Sequence, residues 1–253
     1  MEAAVEARRD GMNETPIAAT RARAGALRVS VIIPARDEED SIGDVIEQVR
    51  ASGVDEIIVV DGSSRDRTRE RACAAGARVI ESPPGRGLQQ NRGAAEASGD
   101  ALLFLHADTR LPPDFLDQIE TLFASGDVCA GAFRLAVDAP GFAMRWVEHM
   151  ANWRSLCLRL PYGDQAIFVR RQTFRDAGGF APIPLMEDFE LMRRLRKVGR
   201  IGLASSAVTT SARRWKQLGV WRATWSNQLC ILAYLFGLSP HRIAAWRDAR
   251  GRE

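Results

Sequence analysis

Residues Ala101 to Arg110 read A-L-L-F-L-H-A-D-T-R. The first half is a short unbroken apolar run, the pattern of a strand buried on both faces. The second half turns at once into His106, Asp108 and Arg110, with Pro112 and Pro113 behind them. A buried strand ending in an imidazole and a carboxylate delivers those groups to the carboxyl edge of a sheet. That edge is where open α/β sheets bind ligands.

The neighbouring stretches supply the rest of such a sheet. Val29 to Ile33 is a first strand, stopped by Pro34, and Glu56 to Val60 is a second, ending in Asp61-Gly62. Arg78 to Glu81 is a third, so that Ala101 to Leu105 is the fourth. Helices are predicted between them at Ser41 to Arg50, Asp66 to Ala75 and Leu88 to Ala97. Strand and helix in alternation mean a parallel sheet with right-handed crossovers. Further on, a helix to Phe123 precedes a strand over Val128 to Val137. An amphipathic helix over Phe142 to Leu160 carries Phe142, Trp146, Met150, Trp153 and Cys157 on one face, a stripe expected in the core. A strand at Gln165 to Val169, helices at Arg171 to Ala177 and Glu187 to Val198, two short strands at Ile201 to Leu203 and Ala207 to Thr210, and a helix over Gln217 to Phe236 complete the reading. Met1 to Arg28 reads as a disordered leader, and an Arg-rich tail closes the chain.

The bulk numbers bound the class. The chain has 253 residues, 46% hydrophobic and 26% charged, enough for a sizeable core. A net charge of +3 does not call for a nucleic-acid partner. All basic residues but Lys197 and Lys216 are arginines, whose planar forks suit phosphate and carboxylate. Cys73, Cys129, Cys157 and Cys230 are scattered, as reduced thiols of a cytoplasmic protein would be. No signal-peptide core stands at the N-terminus, and the longest apolar run, Leu229 to Leu238, has ten residues where a spanning helix needs about 20. The chain is expected in the cytoplasm, soluble or at the inner face of the membrane.

The strand ends decide between chemistries. A dinucleotide fold needs G-x-G-x-x-G after the first strand, and that turn reads P-A-R-D-E-E. Glycines able to cradle phosphate occur only as Gly85-Arg86-Gly87. Carboxylates beside a phosphorylated ligand require a bridging cation, commonly a hard divalent ion held by one or two carboxylates and phosphate oxygens. Asp108 is the best candidate ligand, and His106 joins it for a softer ion such as Mn2+. From the residues alone, Asp108 is equally a turn residue. Likewise Glu187-Asp188 fits the first turn of a helix, where acids are stabilising anyway.

Read together, V-S-V-I-I-P-A-R-D-E-E (29–39), I-I-V-V-D-G-S-S-R-D-R-T (57–68), the run from Gly85 to Thr109, G-D-Q-A-I-F-V-R-R (163–171), G-G-F (178–180) and M-E-D-F-E-L-M-R-R-L (186–195) resemble family 2 glycosyltransferases, in order and in spacing from Val29 to Trp215. The resemblance implies an α/β GT-A fold: a Rossmann-like, mostly parallel central sheet flanked by helices. It would be a single domain over 29–215, with a nucleotide half (29–110), an acceptor half (111–215) and a C-terminal helical extension and tail over 216–253. It also implies an inverting transfer of a sugar from a nucleoside-diphosphate sugar, foremost a UDP-sugar, to an acceptor hydroxyl, with Mn2+ or Mg2+. By match to the family's motifs, Pro34, Arg36, Glu38, Asp61, Arg86, Asn91 and Ala107 line the nucleotide site. Asp108 is the last acid of the D-x-D signature, with His106 where relatives have its first. Asp188 is the base, with Glu187 beside it. Gly163-Asp164-Gln165 and Arg213-Arg214-Trp215 face the acceptor. A non-catalytic sugar-nucleotide binder or scaffold and a nucleotidyltransferase are the competing readings.

The acceptor is open in the sequence. Arg213, Arg214, Lys216 and Arg222 precede an aromatic and apolar segment with Trp221, Trp225, Leu229, Leu232 and Leu235. A helix of that kind either lies on an anionic membrane surface, near a lipid or other hydrophobic acceptor, or simply closes over the sheet.

Overall fold

Every second residue of Val29–Ile33 enters one apolar layer and the alternate residues enter another. Val29, Val31 and Ile33 pack on one side of the sheet, Ile32 on the other, and all are buried. The same division holds for Ile57/Val59 against Ile58/Val60 and for Leu103 against Leu102/Phe104. A strand apolar on both faces needs helices on both faces, and the fold provides them.

The computed structural model describes residues 27–250; the leader expected over 1–28 lies, but for its last two residues, outside the described residues. The chain runs β1 (Val29–Ala35), α1 (Ile42–Ala51), β2 (Glu56–Asp61), α2 (Thr68–Ala74), β3 (Arg78–Glu81), α3 (Arg86–Glu96), β4 (Ala101–Phe104), β5 (Thr109–Arg110), α4 (Phe115–Ala124), β6 (Val128–Asp138) and α5 (Phe142–Leu158). A single 3-10 turn (Gly163–Gln165) follows, then β7 (Phe168–Arg170), α6 (Arg171–Asp176), α7 (Glu187–Leu195), β8 (Arg200–Ser211), α8 (Arg213–Leu218), α9 (Val220–Leu235) and α10 (Pro240–Arg250). The strands form one sheet in the order β3-β2-β1-β4-β7-β6-β8-β5. Pairs β1–β2, β1–β4, β2–β3 and β6–β8 are parallel, whereas β7 and β5 run antiparallel to their neighbours. α1, α2 and α4 cover one face, with Ile46, Ala72 and Phe115 buried there. α3, α6 and α7 cover the other, with Ala94, Phe174 and Leu191.

Five expectations need correction. β1 continues through Pro34, because β4 pairs only as far as Ile32, beyond which the missing N–H leaves no ladder bond unmade. The two short strands after residue 200 are one strand, β8, with its register shifted near Arg134. The helix expected over Gln217 to Phe236 is divided, because Gly219 takes φ +79 between α8 and α9, and the expected tail is the helix α10.

The fifth correction concerns α5. Its buried residues are Met144, Val147, Glu148, Ala151 and Ser155, while Phe142, Trp146, Met150 and Trp153 are exposed, Trp153 by 50%. The helix is therefore turned opposite to its apolar stripe. The reason lies in β6, which pairs with β7 only at Ala130 and Gly131. Past that point the edge of β6 must find other partners for its backbone. α5 supplies them: Asn152 Oδ1 accepts from the Leu135 N–H at 2.7 Å and its Nδ2 donates to the Leu135 carbonyl at 3.1 Å. Glu148 Oε1 accepts from the Val137 N–H at 2.6 Å. Polar residues face in because an unpaired strand edge demands them.

Candidate active site

Three parallel strands end side by side, and each end carries an acid. β2 ends in Asp61, which is fully buried and accepts from the Ser64 N–H at 3.2 Å. Gln89 on α3 fixes this corner, its Nε2 donating to the carbonyls of Ala35 at 3.0 Å and Val60 at 2.8 Å. A Cβ at Gly62 would lie 2.8 Å from that amide and would push it off its two carbonyls. Beyond β1, Arg36 is exposed and Asp37 takes φ +54, a left-handed backbone that turns the chain sharply. The Glu38 N–H is held by Thr68 Oγ1 at 2.8 Å, while its carboxylate receives Arg213 at 2.6 and 2.9 Å. Beyond β4, the turn His106–Thr109 is closed by the Thr109 N–H on the His106 carbonyl at 3.1 Å, with Ala107 buried beneath it.

A cavity of about 350 Å3 opens over this edge. It is lined from β4's end by His106 and Asp108, from α3 by Arg86, and from the 3-10 turn by Asp164. α7 contributes Asp188, and α8 contributes Arg213, Arg214 and Trp215. Tyr162, Phe189, Asn227 and Arg247 also line it; none was singled out from sequence. For Tyr162, the only available signal was its place directly before Gly163-Asp164. Its ring lies 3.3 Å beneath the Arg154 guanidinium, and burial pushes its hydroxyl up to about 12, so it stays protonated.

The two acids of Glu187-Asp188 separate in role. Glu187 is buried and pairs with Arg86 Nε at 2.5 Å. Burial raises its carboxyl, while the guanidinium opposes that rise. Asp188 faces the cavity with both oxygens oriented by backbone: Oδ2 accepts from the Gly163 N–H and Oδ1 from the Phe189 N–H, each at 2.7 Å. Met186, just before α7, takes φ +71, strain that aims the first turn of the helix at the cavity. A Cβ at Gly163 would lie 3.1 Å from both Asp188 Oδ2 and His106 Nε2, so the bare glycine is what admits carboxylate and imidazole to the same space.

Not every residue singled out from sequence reaches the cavity. Gln165 is fully buried, its Nε2 on the Phe133 carbonyl at 3.0 Å and its Oε1 taken by Ser155 and Arg154. Asn91 brackets Phe180, accepting from its N–H and donating to its carbonyl, both at 2.8 Å. Both amides position loops and do not line the cavity. Pro34, Arg36, Glu38 and Asp61 stand beside the cavity along the same sheet edge.

The charges suit a metal-bridged diphosphate. Burial first, and then Arg86, lower His106 to about 4, so its imidazole is neutral near pH 7. Burial raises the Asp108 carboxyl, with Glu38 adding to the effect and Arg213 opposing it from 3.6 Å. Among the described residues no group of three or more His, Cys, Asp or Glu could cage a metal. One carboxylate with a neutral imidazole close by fits instead a divalent ion that completes its shell with phosphate oxygens and water. Arg86, Arg213 and Arg214 line the same cavity.

Comparison with known proteins bears on the family and the fold. The family described as glycosyl transferase family 2 matches residues 30–183. The glucosyl-3-phosphoglycerate synthase of Mycolicibacterium paratuberculosis is 41% identical over 119 residues, 42% of this chain and 36% of that protein. The dolichol-phosphate mannosyltransferase of Pyrococcus furiosus is 33% identical over 116 residues, 42% of this chain and 33% of that protein. The matched stretch thus spans about a third of the length of these curated relatives. The crystal structure of Mycobacterium tuberculosis glucosyl-3-phosphoglycerate synthase with Mn2+ and UDP-glucose superposes with a TM-score of 0.56 at 23% identity, over 79% of this chain and 75% of that one. At that identity the likeness is one of fold.

Proposed function

The chain belongs to glycosyl transferase family 2, with the GT-A fold, and from that premise we propose an inverting enzyme that moves a sugar from a UDP-sugar to an acceptor hydroxyl. The observation that carries the proposal is Asp188. It is a cavity-facing carboxylate whose two oxygens are held by backbone N–H groups, set across bare Gly163 from the end of β4.

In this reading the uridine lies along the edge from β1 to β2, with Asp61 accepting from the base imide N–H. The diphosphate lies between Arg86, Arg213 and the end of β4. Asp108, with His106 beside it, would hold a divalent ion, Mn2+ or Mg2+, that neutralises charge on the leaving diphosphate. Asp188 takes the proton of the acceptor hydroxyl. The hydroxyl oxygen bonds to the anomeric carbon from the face opposite the diphosphate, and the bond from that carbon to the diphosphate oxygen breaks with its electron pair. One base and no enzyme nucleophile give inversion in a single displacement. Glu187 acts through Arg86, holding the guanidinium toward the phosphates. The described cysteines are unpaired, Cys73 and Cys157 exposed, which supports a reducing, cytoplasmic setting.

The test is a panel of nucleotide sugars with Mn2+, Mg2+ or EDTA. Metal-dependent release of UDP is expected. Pyrophosphate release from a nucleoside triphosphate and a sugar phosphate would make the enzyme a nucleotidyltransferase, and binding without turnover would make it a scaffold. Asp188→Asn is expected to keep UDP-sugar affinity and to lose at least about 100-fold in kcat. Wild-type turnover in that variant would refute the base.

A further inference from the structure

A second hollow of about 500 Å3 runs between α5 and α9. Its walls are Trp146, Met150 and Trp153 on one side and Trp221, Trp225 and Leu235 on the other. These six side chains are 38–65% open to solvent. So many large apolar residues gathered at one surface mark a binding site. The arrangement is built in, because α5 turns its polar residues to the β6 edge and thereby obliges its aromatic stripe to face α9.

The hollow runs into the active-site cavity. Tyr162, Asp164, Phe189, Trp215 and Ile231 line both. Asp164 marks the junction, and its Oδ1 is buried with no hydrogen-bond partner among the described residues. A buried carboxylate oxygen without a donor costs free energy that a ligand hydroxyl recovers. The UDP-sugar would fill the polar cavity along the sheet edge, so the acceptor has to approach Asp188 from elsewhere. The aromatic groove is the approach that reaches it.

Resting on the glycosyltransferase reading above, we propose that the acceptor is an amphiphile. Its hydrocarbon chain lies in the groove between α5 and α9, and its hydroxyl passes Asp164 to reach Asp188. The groove contributes chain-length selectivity, and Asp164 positions the hydroxyl by accepting its hydrogen bond before Asp188 removes the proton. A sugar or a small acid would leave the tryptophan walls uncovered.

Two measurements test this. In the first, 12-bromododecan-1-ol is titrated against intrinsic tryptophan fluorescence, with 4-bromobutan-1-ol as the short control. The long alcohol is expected to quench at a concentration at least tenfold lower. Met150→Glu and Leu235→Glu, on opposite walls and both exposed, are each expected to remove that preference while the melting transition shows the chain folded. In the second, sugar transfer to 1-butanol, 1-octanol and 1-dodecanol is compared with transfer to phosphoglyceric acid and to free glucose. KM should fall by up to about fourfold per methylene while the chain still fits the groove. Transfer to phosphoglyceric acid or glucose with a KM indifferent to both substitutions would overturn the groove and leave the enzyme class standing. Quenching that depends on Met150 and Leu235, with no UDP release from any donor, would leave the groove standing and overturn the enzyme class.

Discussion

Asp164 and Asp188 stand in one cavity but in different company. Asp188 has a backbone donor on each oxygen, whereas Asp164 Oδ1 has none. Burial raises the Asp164 carboxyl above its ordinary value of 3.8, so the folded chain binds that proton more tightly than the unfolded chain. The stability this contributes is present below pH 3.8 and is lost as pH rises through the folded value. Asp164→Asn has no charge to bury. It should unfold at higher temperature than wild type at pH 8, by roughly 1 kcal/mol, with the gap narrowing toward pH 4 in thermal melts. The acids at the sheet edge were legible because each follows an apolar run: Asp61 after E-I-I-V-V, Asp108 after A-L-L-F-L. Gln165 and Asn91 were not legible in the same way. Their type and position match acceptor-side and nucleotide-side residues, but nothing in sequence says that a backbone carbonyl of Phe133 or Phe180 waits for each amide.

Among elements, α5 shows how far a periodic pattern can mislead. Its apolar stripe was read correctly as a helix face, and that face is turned away from the sheet, half-open along the hollow beside α9. Amphipathicity reports which residues share a side; an unpaired strand edge decided which side turned inward. The consequence is an inverted mutational profile. Asn152→Leu, a change toward apolar, strands a backbone donor and an acceptor of Leu135 and should cost about 2 kcal/mol or more in urea unfolding. Trp153→Glu, a change from apolar to charged one residue away, should cost about 0.5 kcal/mol or less. Opposite rankings would mean that α5 buries its aromatic face. α3 obeys the pattern more simply. A Cβ at Gly93 would lie 2.5 Å from Ile32 Cγ2 and 2.9 Å from Val60 Cγ2, so Gly93→Ala should push α3 off the sheet at a cost of about 1–3 kcal/mol in the same assay.

At the scale of the molecule, the alternating half through β4 was legible, because local runs dictate parallel neighbours. The order beyond it was not, since β5 is two residues long and β7 returns antiparallel between β4 and β6. β4 and β5 are adjacent in the chain, Phe104 to Thr109, yet four places apart in the sheet. Four strand spacings laid flat come to about 19 Å. Five residues pulled straight reach only about 17 Å, and this segment also contains a closed turn. The sheet must therefore curl until its last strand swings back toward its middle, anchored there by Thr109 opposite Thr210. The segment that holds the curl is His106-Ala107-Asp108. The groups assigned to the diphosphate thus sit on the short connection that spans the curl. Two glycines inserted between Ala107 and Asp108 should lengthen that connection and free Asp108 from its fixed place. The chain should still melt cooperatively, but the rise in melting temperature with UDP and Mn2+ should shrink to near nothing, because the short link that lets β5 close back on β8 is the same one that fixes where its carboxylate stands.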